Sequence, residues 1–103
     1  MIRDTKIYLK QYLIKEAKLS RLKQMKNKYP NRRQFYQEKI KNVYKERNKI
    51  EEKIESVDEE LLREILYNKY ILGKSLEEIS IIINYSKRHT ERLHMKALKK
   101  IQI

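Results

Sequence analysis

The segment Asn84–Lys100, NYSKRHTERLHMKALKK, holds both histidines of the chain and six of its basic residues. Two histidines among hydrogen-bonding neighbours have the makings of a metal or proton-transfer site. Their spacing argues against the first. His89 and His94 are five residues apart, which sets them about 140° apart around a helix, whereas histidines that share an ion on a helix sit at i, i+3 or i, i+4. The chain has no cysteine, and no carboxylate is placed to complete a shell. No nucleophile, base and orienting group stand together. Gly73-Lys-Ser75 has the ending of a phosphate-binding loop, but position 68, where that motif needs a second glycine, is Asn. The expectation is a protein that is not an enzyme and has no metal or cofactor, each histidine being a solvated or half-buried side chain beside the core.

What the segment does have is sorted faces. Thr90, Leu93, Ala97 and Ile101 fall on one stripe with Leu98 at its edge, while Arg88, Arg92, Met95 and Lys99 lie opposite and Glu91 and Lys96 take the shoulders. Ser86 is placed to cap this helix. Before it, Ser75-Leu-Glu-Glu78 has capping-box spacing and opens a short helix through about Ile83. Asn84-Tyr85 joins the two, Asn tolerating a left-handed backbone best after Gly. Two short helices with a tight turn between them have the dimensions of a helix-turn-helix, whose second helix offers its first residues to the major groove of DNA.

The elements that must carry this pair are also helical. One Gly and one Pro among 103 residues, with Lys, Glu, Ile and Leu abundant, describe an all-α chain. A first helix is expected from about Thr5 to Tyr29, with Tyr8, Leu9, Tyr12, Leu13, Leu19, Leu22, Met25 and Tyr29 on its apolar side. Tyr29-Pro30 interrupts it, and Asn31 can cap its successor. That second helix alternates steps of four and three through Tyr36, Ile40, Val43, Arg47, Ile50, Ile54, Val57 and Leu61, the seam of a coiled coil or an antiparallel hairpin with one charged interruption at Arg47. Ser56-Val-Asp-Glu59 has capping-box spacing, so a third helix is expected from Asp58 to Leu72, ended by Gly73 in a left-handed conformation. The division is a basic helical pair over residues 1–57 and a three-helix unit over residues 58–103.

The formal net charge of +12 is uneven. Residues 1–33 carry 11 Lys and Arg against 2 acids, residues 58–85 carry 3 against 6, and residues 86–103 carry 6 against 1. Such a balance favours a polyanionic partner, with an anionic membrane surface as the other candidate. No apolar run approaches the roughly 18 residues of a membrane span, so the expected location is cytoplasmic.

Residues Glu59–Ile101 resemble the fourth region of bacterial sigma factors, through Ser75-Leu-Glu-Glu-Ile-Ser80, Asn84-Tyr-Ser86 and Lys96-Ala-Leu-Lys-Lys-Ile101. Within that superfamily the chain looks most like small phage-encoded transcriptional regulators of the ArpU and RinA type. The resemblance implies a sequence-specific regulator of phage or mobile-element origin that binds double-stranded DNA. Ser86 matches the residue that caps the recognition helix, about 87–101, and Lys87, Arg88, Glu91 and Arg92 match positions that touch promoter bases or nearby phosphates. Arg88 or Lys87 would read guanine edges, Glu91 would accept from cytosine or orient an arginine, and Arg92 would serve a base or a phosphate. Lys74, Ser75, Tyr85, Ser86, Lys96 and Lys99 are the expected phosphate contacts. Asn84 stands where the family has Gly, Thr90 where it has a buried aliphatic residue, and Ser80 where it has Ala or Gly. Two other readings fit the same features. One is an interaction protein docking on RNA polymerase through its sigma-like part, its N-terminal helices serving as a homodimer interface or as a partner surface. The other is a DNA-packaging subunit that oligomerises through those helices.

Overall fold

The computed structural model describes residues 2–102, and they form five α-helices. Helix α1 spans Ile2–Lys28, α2 Arg33–Glu55, α3 Glu60–Leu66, α4 Leu76–Ile83 and α5 Lys87–Lys100, with no strand among the described residues. Helix α1 starts three residues before the expected Thr5. It ends before Pro30, which holds Tyr29 at φ −122°, ψ 77°, outside the helical region. Asn31 does not cap α2. It sits inside a 3-10 turn, Pro30–Arg32, and this turn leads directly into the helix through backbone hydrogen bonds to Tyr29 and Pro30.

Helices α1 and α2 pair antiparallel. Lys26 donates to Gln37 and Arg47 binds Glu16, with Lys15 2.6 Å from Glu46 beside it, so going from 26 down to 16 on α1 goes with 37 up to 47 on α2. Tyr36, Ile40, Val43, Ile50, Ile54 and Val57 are buried, so the seam is filled within one chain. Arg47 keeps its place in the seam because α1 supplies a partner for it. The guanidinium reaches Glu16 and lies over the rings of Tyr12 and Tyr44, which covers its stem and flat face while the charge stays paired. Leu13 and Tyr29, expected on the apolar side of α1, are exposed. Leu13 instead lies over the loop after α3, where a Cβ on Gly73 would meet its Cδ1 at 3.3 Å.

The third helix begins later than expected and is not uniform. Ser56 does not open it: its hydroxyl donates back to Lys53 O at 2.6 Å and so closes α2. Helix α3 follows an extended Glu59 that makes no side-chain cap. After Leu66 the backbone widens into a π turn, Tyr67–Ile71. Within it Asn68 is buried and donates its amide to Glu64 O at 2.8 Å. Gly73, at φ 73°, ends the element in the expected left-handed conformation.

Two apolar clusters result. Leu19, Leu22, Tyr36, Ile40 and Val43 fill the closed end of the helix pair. The larger one is built from both parts of the chain: Leu9, Tyr12, Ile50 and Ile54 come from α1 and α2, Leu62, Leu66 and Tyr70 from α3 and its π turn, and Ala97, Leu98 and Ile101 from the end of the chain. The molecule is elongated, 53 × 25 × 21 Å. Leu9 and Leu66 are both fully buried in the shared cluster although they lie far apart in sequence. Replacing either by Ala is therefore expected to cost about 2–5 kcal/mol, read as a lower urea midpoint in one cooperative transition. A silent Leu9→Ala would mean that the N-terminal helices do not support this core.

Candidate nucleic-acid interface

The α4–turn–α5 unit is assembled from local chemistry. Ser75 Oγ accepts from Glu78 N at 3.1 Å, while Glu78 Oε1 accepts from Ser75 N at 3.0 Å, a complete capping box. These bonds from Ser75 hold the Glu78 carboxyl below its usual range. At the other end Asn84 adopts φ 59°, ψ 43°, and Tyr85 N donates to Ser80 O at 3.1 Å. This six-to-one bond around a left-handed residue is a Schellman closure made with Asn in place of Gly. Ser86 then starts α5, its Oγ accepting from His89 N at 3.1 Å. The exposed Tyr85 ring meets the His89 ring edge to face at 5.0 Å, bracing the turn.

The two polar residues that stand at packing positions are satisfied in place. Thr90 is fully buried, and its hydroxyl donates to Ser86 O at 2.8 Å. Ser80 is buried, and its hydroxyl donates to Glu77 O at 2.6 Å. Each side chain spends its hydroxyl on a carbonyl of its own helix or cap and turns its remaining atoms to the neighbour, so neither opens the α4–α5 contact.

The inner stripe of α5 holds Thr90, His94, Ala97 and Leu98. Here the structure corrects one expectation: His94 is neither solvated nor half-buried but 3% exposed. It lies four residues after Thr90 and three before Ala97, in line with the stripe. Its Nε2 shares a 2.8 Å hydrogen bond with the Tyr70 hydroxyl, delivered by the π turn, and the two rings pack at 5.7 Å. Burial first, then the nearby Lys69 and Lys6, push the imidazole down to about 4, and burial pushes the Tyr70 phenol up to about 12. Both groups are neutral near pH 7, a polar pair inside the core. His89 stays partly exposed at the start of the helix. Among the described residues no three His, Asp or Glu side chains are grouped as a metal shell would need.

The outer face presents Lys87, Arg88, Glu91 and Arg92, all exposed, with Met95 and Lys99 continuing it. The expected phosphate contacts are less uniform. Tyr85 and Lys99 are exposed, whereas Lys74 is partly buried in a cleft shared with Lys10, Lys69 and Glu78. The hydroxyl oxygens of Ser75 and Ser86 serve their caps. Lys96 lies 3.7 Å from Glu59, which Lys100 also approaches at 3.8 Å; both pairs are exposed and of modest strength. Sequence reasoning missed the Tyr70–His94 pair, although the i+4 and i−3 spacing of His94 from Thr90 and Ala97 was a signal for it.

No protein-family profile, curated protein or solved structure matches the chain.

The buried imidazole couples stability to acid. The unfolded ring takes a proton near 6.5 and the folded one only near 4, so between these values the unfolded state binds a proton that the folded state does not. Stability is therefore full above about pH 6.5 and falls as pH drops toward 4, by on the order of 3 kcal/mol. Urea titrations across that range should show the slope, and His94→Phe should flatten it. An unchanged slope in that variant would assign the acid sensitivity to other groups.

Proposed function

We propose that the protein is a sequence-specific, double-stranded-DNA-binding transcriptional regulator of phage or mobile-element origin, with α5 lying in the major groove. The observation that carries this reading is the outer face of α5. Four exposed side chains with base-reading chemistry, Lys87, Arg88, Glu91 and Arg92, project from the first two turns of a helix. The start of that helix is held by the Ser86 cap and the left-handed Asn84, and its back is fixed in the core. A groove reader needs this arrangement, since base edges are distinguished only by donors and acceptors held at fixed positions. The resemblance of residues 59–101 to sigma region 4 supports the same orientation. In this reading Arg88 or Lys87 donates to guanine, Glu91 accepts from cytosine or orients an arginine, and Arg92 serves a base or a phosphate. Lys74, Ser75, Tyr85, Ser86, Lys96 and Lys99 line the backbone path, with Lys96 exchanging Glu59 for phosphate.

One feature supports a second reading, docking on RNA polymerase. Ile81 and Ile82 on α4 are 76% and 53% exposed, and Leu72 is half exposed. Exposed apolar side chains on so small a helical unit suit a protein surface. Recovery of polymerase from nuclease-treated lysate would favour docking, and recovery only with intact DNA would count against it. A homodimer through the N-terminal seam would have to displace the pairing that already buries Ile40, Val43, Ile50 and Ile54 within one chain.

Arg88→Ala is expected to weaken binding to the best duplex by about 1–3 kcal/mol and to relax selectivity at one base pair. Lys99→Ala should weaken all duplexes alike. Competition titrations with single-base-pair variants separate the two effects. Full affinity and selectivity in Arg88→Ala would exclude the proposed docking.

A further inference from the structure

Most of the chain's net positive charge lies outside the α3–α5 unit. Residues 58–103 carry nine Lys and Arg against seven acids. Residues 18–41, which form the closed end of the α1–α2 pair, carry nine against one, Glu38. This is not a property of the two helices as such, because residues 42–55 of α2 carry four of each. Exposed positions that needed only to be polar would accept either sign, as the open end of the pair does. Among the described residues no Lys or Arg between 18 and 41 is held in an ion pair, whereas nearer the open end Lys15 pairs with Glu46 and Arg47 with Glu16. Gathering like charge in this way destabilises a compact fold, so it calls for a partner that offsets it.

The side chains at the tip are also ordered against aromatic rings. The Arg32 guanidinium lies 4.3 Å from the centre of the exposed Phe35 ring and 5.4 Å from that of Tyr36. Lys39 lies 5.0 Å from the Phe35 ring, and Lys28 lies 5.6 Å from the half-exposed Tyr29 ring. Stacking holds a cation in place without neutralising it, leaving its donors free for an anion. The 3-10 turn sets Arg32 and Arg33 next to one another at the head of α2, and Lys28 closes α1.

We infer that this tip is a second nucleic-acid site, in which Lys28, Arg32 and Arg33 bind the phosphate backbone of duplex DNA away from the segment that α5 reads. The choice of duplex DNA as partner rests on the reading of α5 above. The tip itself reads no sequence, so it acts on any duplex and adds to how strongly binding depends on salt. The long axis of 53 Å is the length of about 16 base pairs at 3.4 Å each, which bounds how far apart on a duplex the two sites can act.

The test is salt-dependent binding of the full chain to a labelled random-sequence duplex. The variant Lys28→Gln/Arg32→Gln/Arg33→Gln is expected to bind about tenfold or more weaker at low salt and to flatten the log K against log salt slope by about 2–3. Lys45→Gln/Lys49→Gln/Lys53→Gln makes the same change in net charge elsewhere on α2 and should shift the slope by less than about 1. Lys28→Gln/Arg33→Gln keeps the Arg32–Phe35 stack and should still flatten the slope by about 2, so the result does not depend on the stack surviving mutation. An unchanged slope in the tip variants, or equal effects of the tip and control triples, overturns the inference. Loss of binding to phosphatidylserine vesicles with duplex binding intact would also overturn it, making a lipid surface the partner. Arg88→Ala changes selectivity and not this slope, so failure of the tip and failure of the α5 reading give different results.

Discussion

The whole arrangement depends on one shared core. Leu9, Ile50 and Ile54 from the first two helices close over Leu62 and Leu66 from the third and over Ala97 and Leu98 from the last. A helix as short as α5, with charge over most of its surface, is marginal in water by itself. Burying one stripe against this core makes it rigid and decides which face remains outside. The N-terminal helices are thus part of the support for the outer face of α5, not an appendage to it. A truncation that removed them would expose the core along with whatever else they contribute.

Rigidity at the start of α5 has a second source, in polar bonds that span only a few residues. The capping box of Ser75, the left-handed Asn84 and the Ser86 cap set where each helix begins and ends. Thr90 and Ser80 return their hydroxyls to nearby carbonyls. Tyr70 and His94 satisfy one another inside the core. Burial holds that pair neutral near pH 7, so it adds no charge to the shared core. Charge is left to the surface, where it divides between a modestly basic α5 unit and a strongly basic tip at the far end of the long axis.

How much of this was legible in the sequence follows from the range of each interaction. The caps at Ser75 and Ser86, the terminator Gly73 and the turn at Asn84 were legible, because each is satisfied within a few residues. Ser56 shows the limit of such patterns: the same spacing occurs, yet its hydroxyl turns back to Lys53 and closes a helix instead of opening one. The seam from Tyr36 to Val57 was legible as a period. The partner of Arg47 was not, since Glu16 lies 31 residues away. The π turn was also hidden, because no local pattern marks it and His94, which its Tyr70 meets, lies 24 residues on. His94 was misjudged because a histidine in an apolar stripe becomes a core residue only once a partner such as Tyr70 is brought to it. For the interface, periodicity put Arg88 and Arg92 on the outer face and Glu91 at its shoulder, the resemblance to sigma region 4 added Lys87, and all four are exposed. The ion pairing of Lys96 with Glu59 and the stacked cations of the tip are tertiary facts.

The central claim is that the outer face of α5 reads base pairs. It is tested most directly by selecting bound sequences from a pool of random duplexes with the full chain, at a salt concentration that suppresses backbone-only binding. A short enriched motif, lost when Lys87, Arg88, Glu91 and Arg92 are replaced together by Ala in a chain that still folds, is the predicted result. Recovery of duplexes with no sequence in common, or the same motif from the replaced chain, would contradict it.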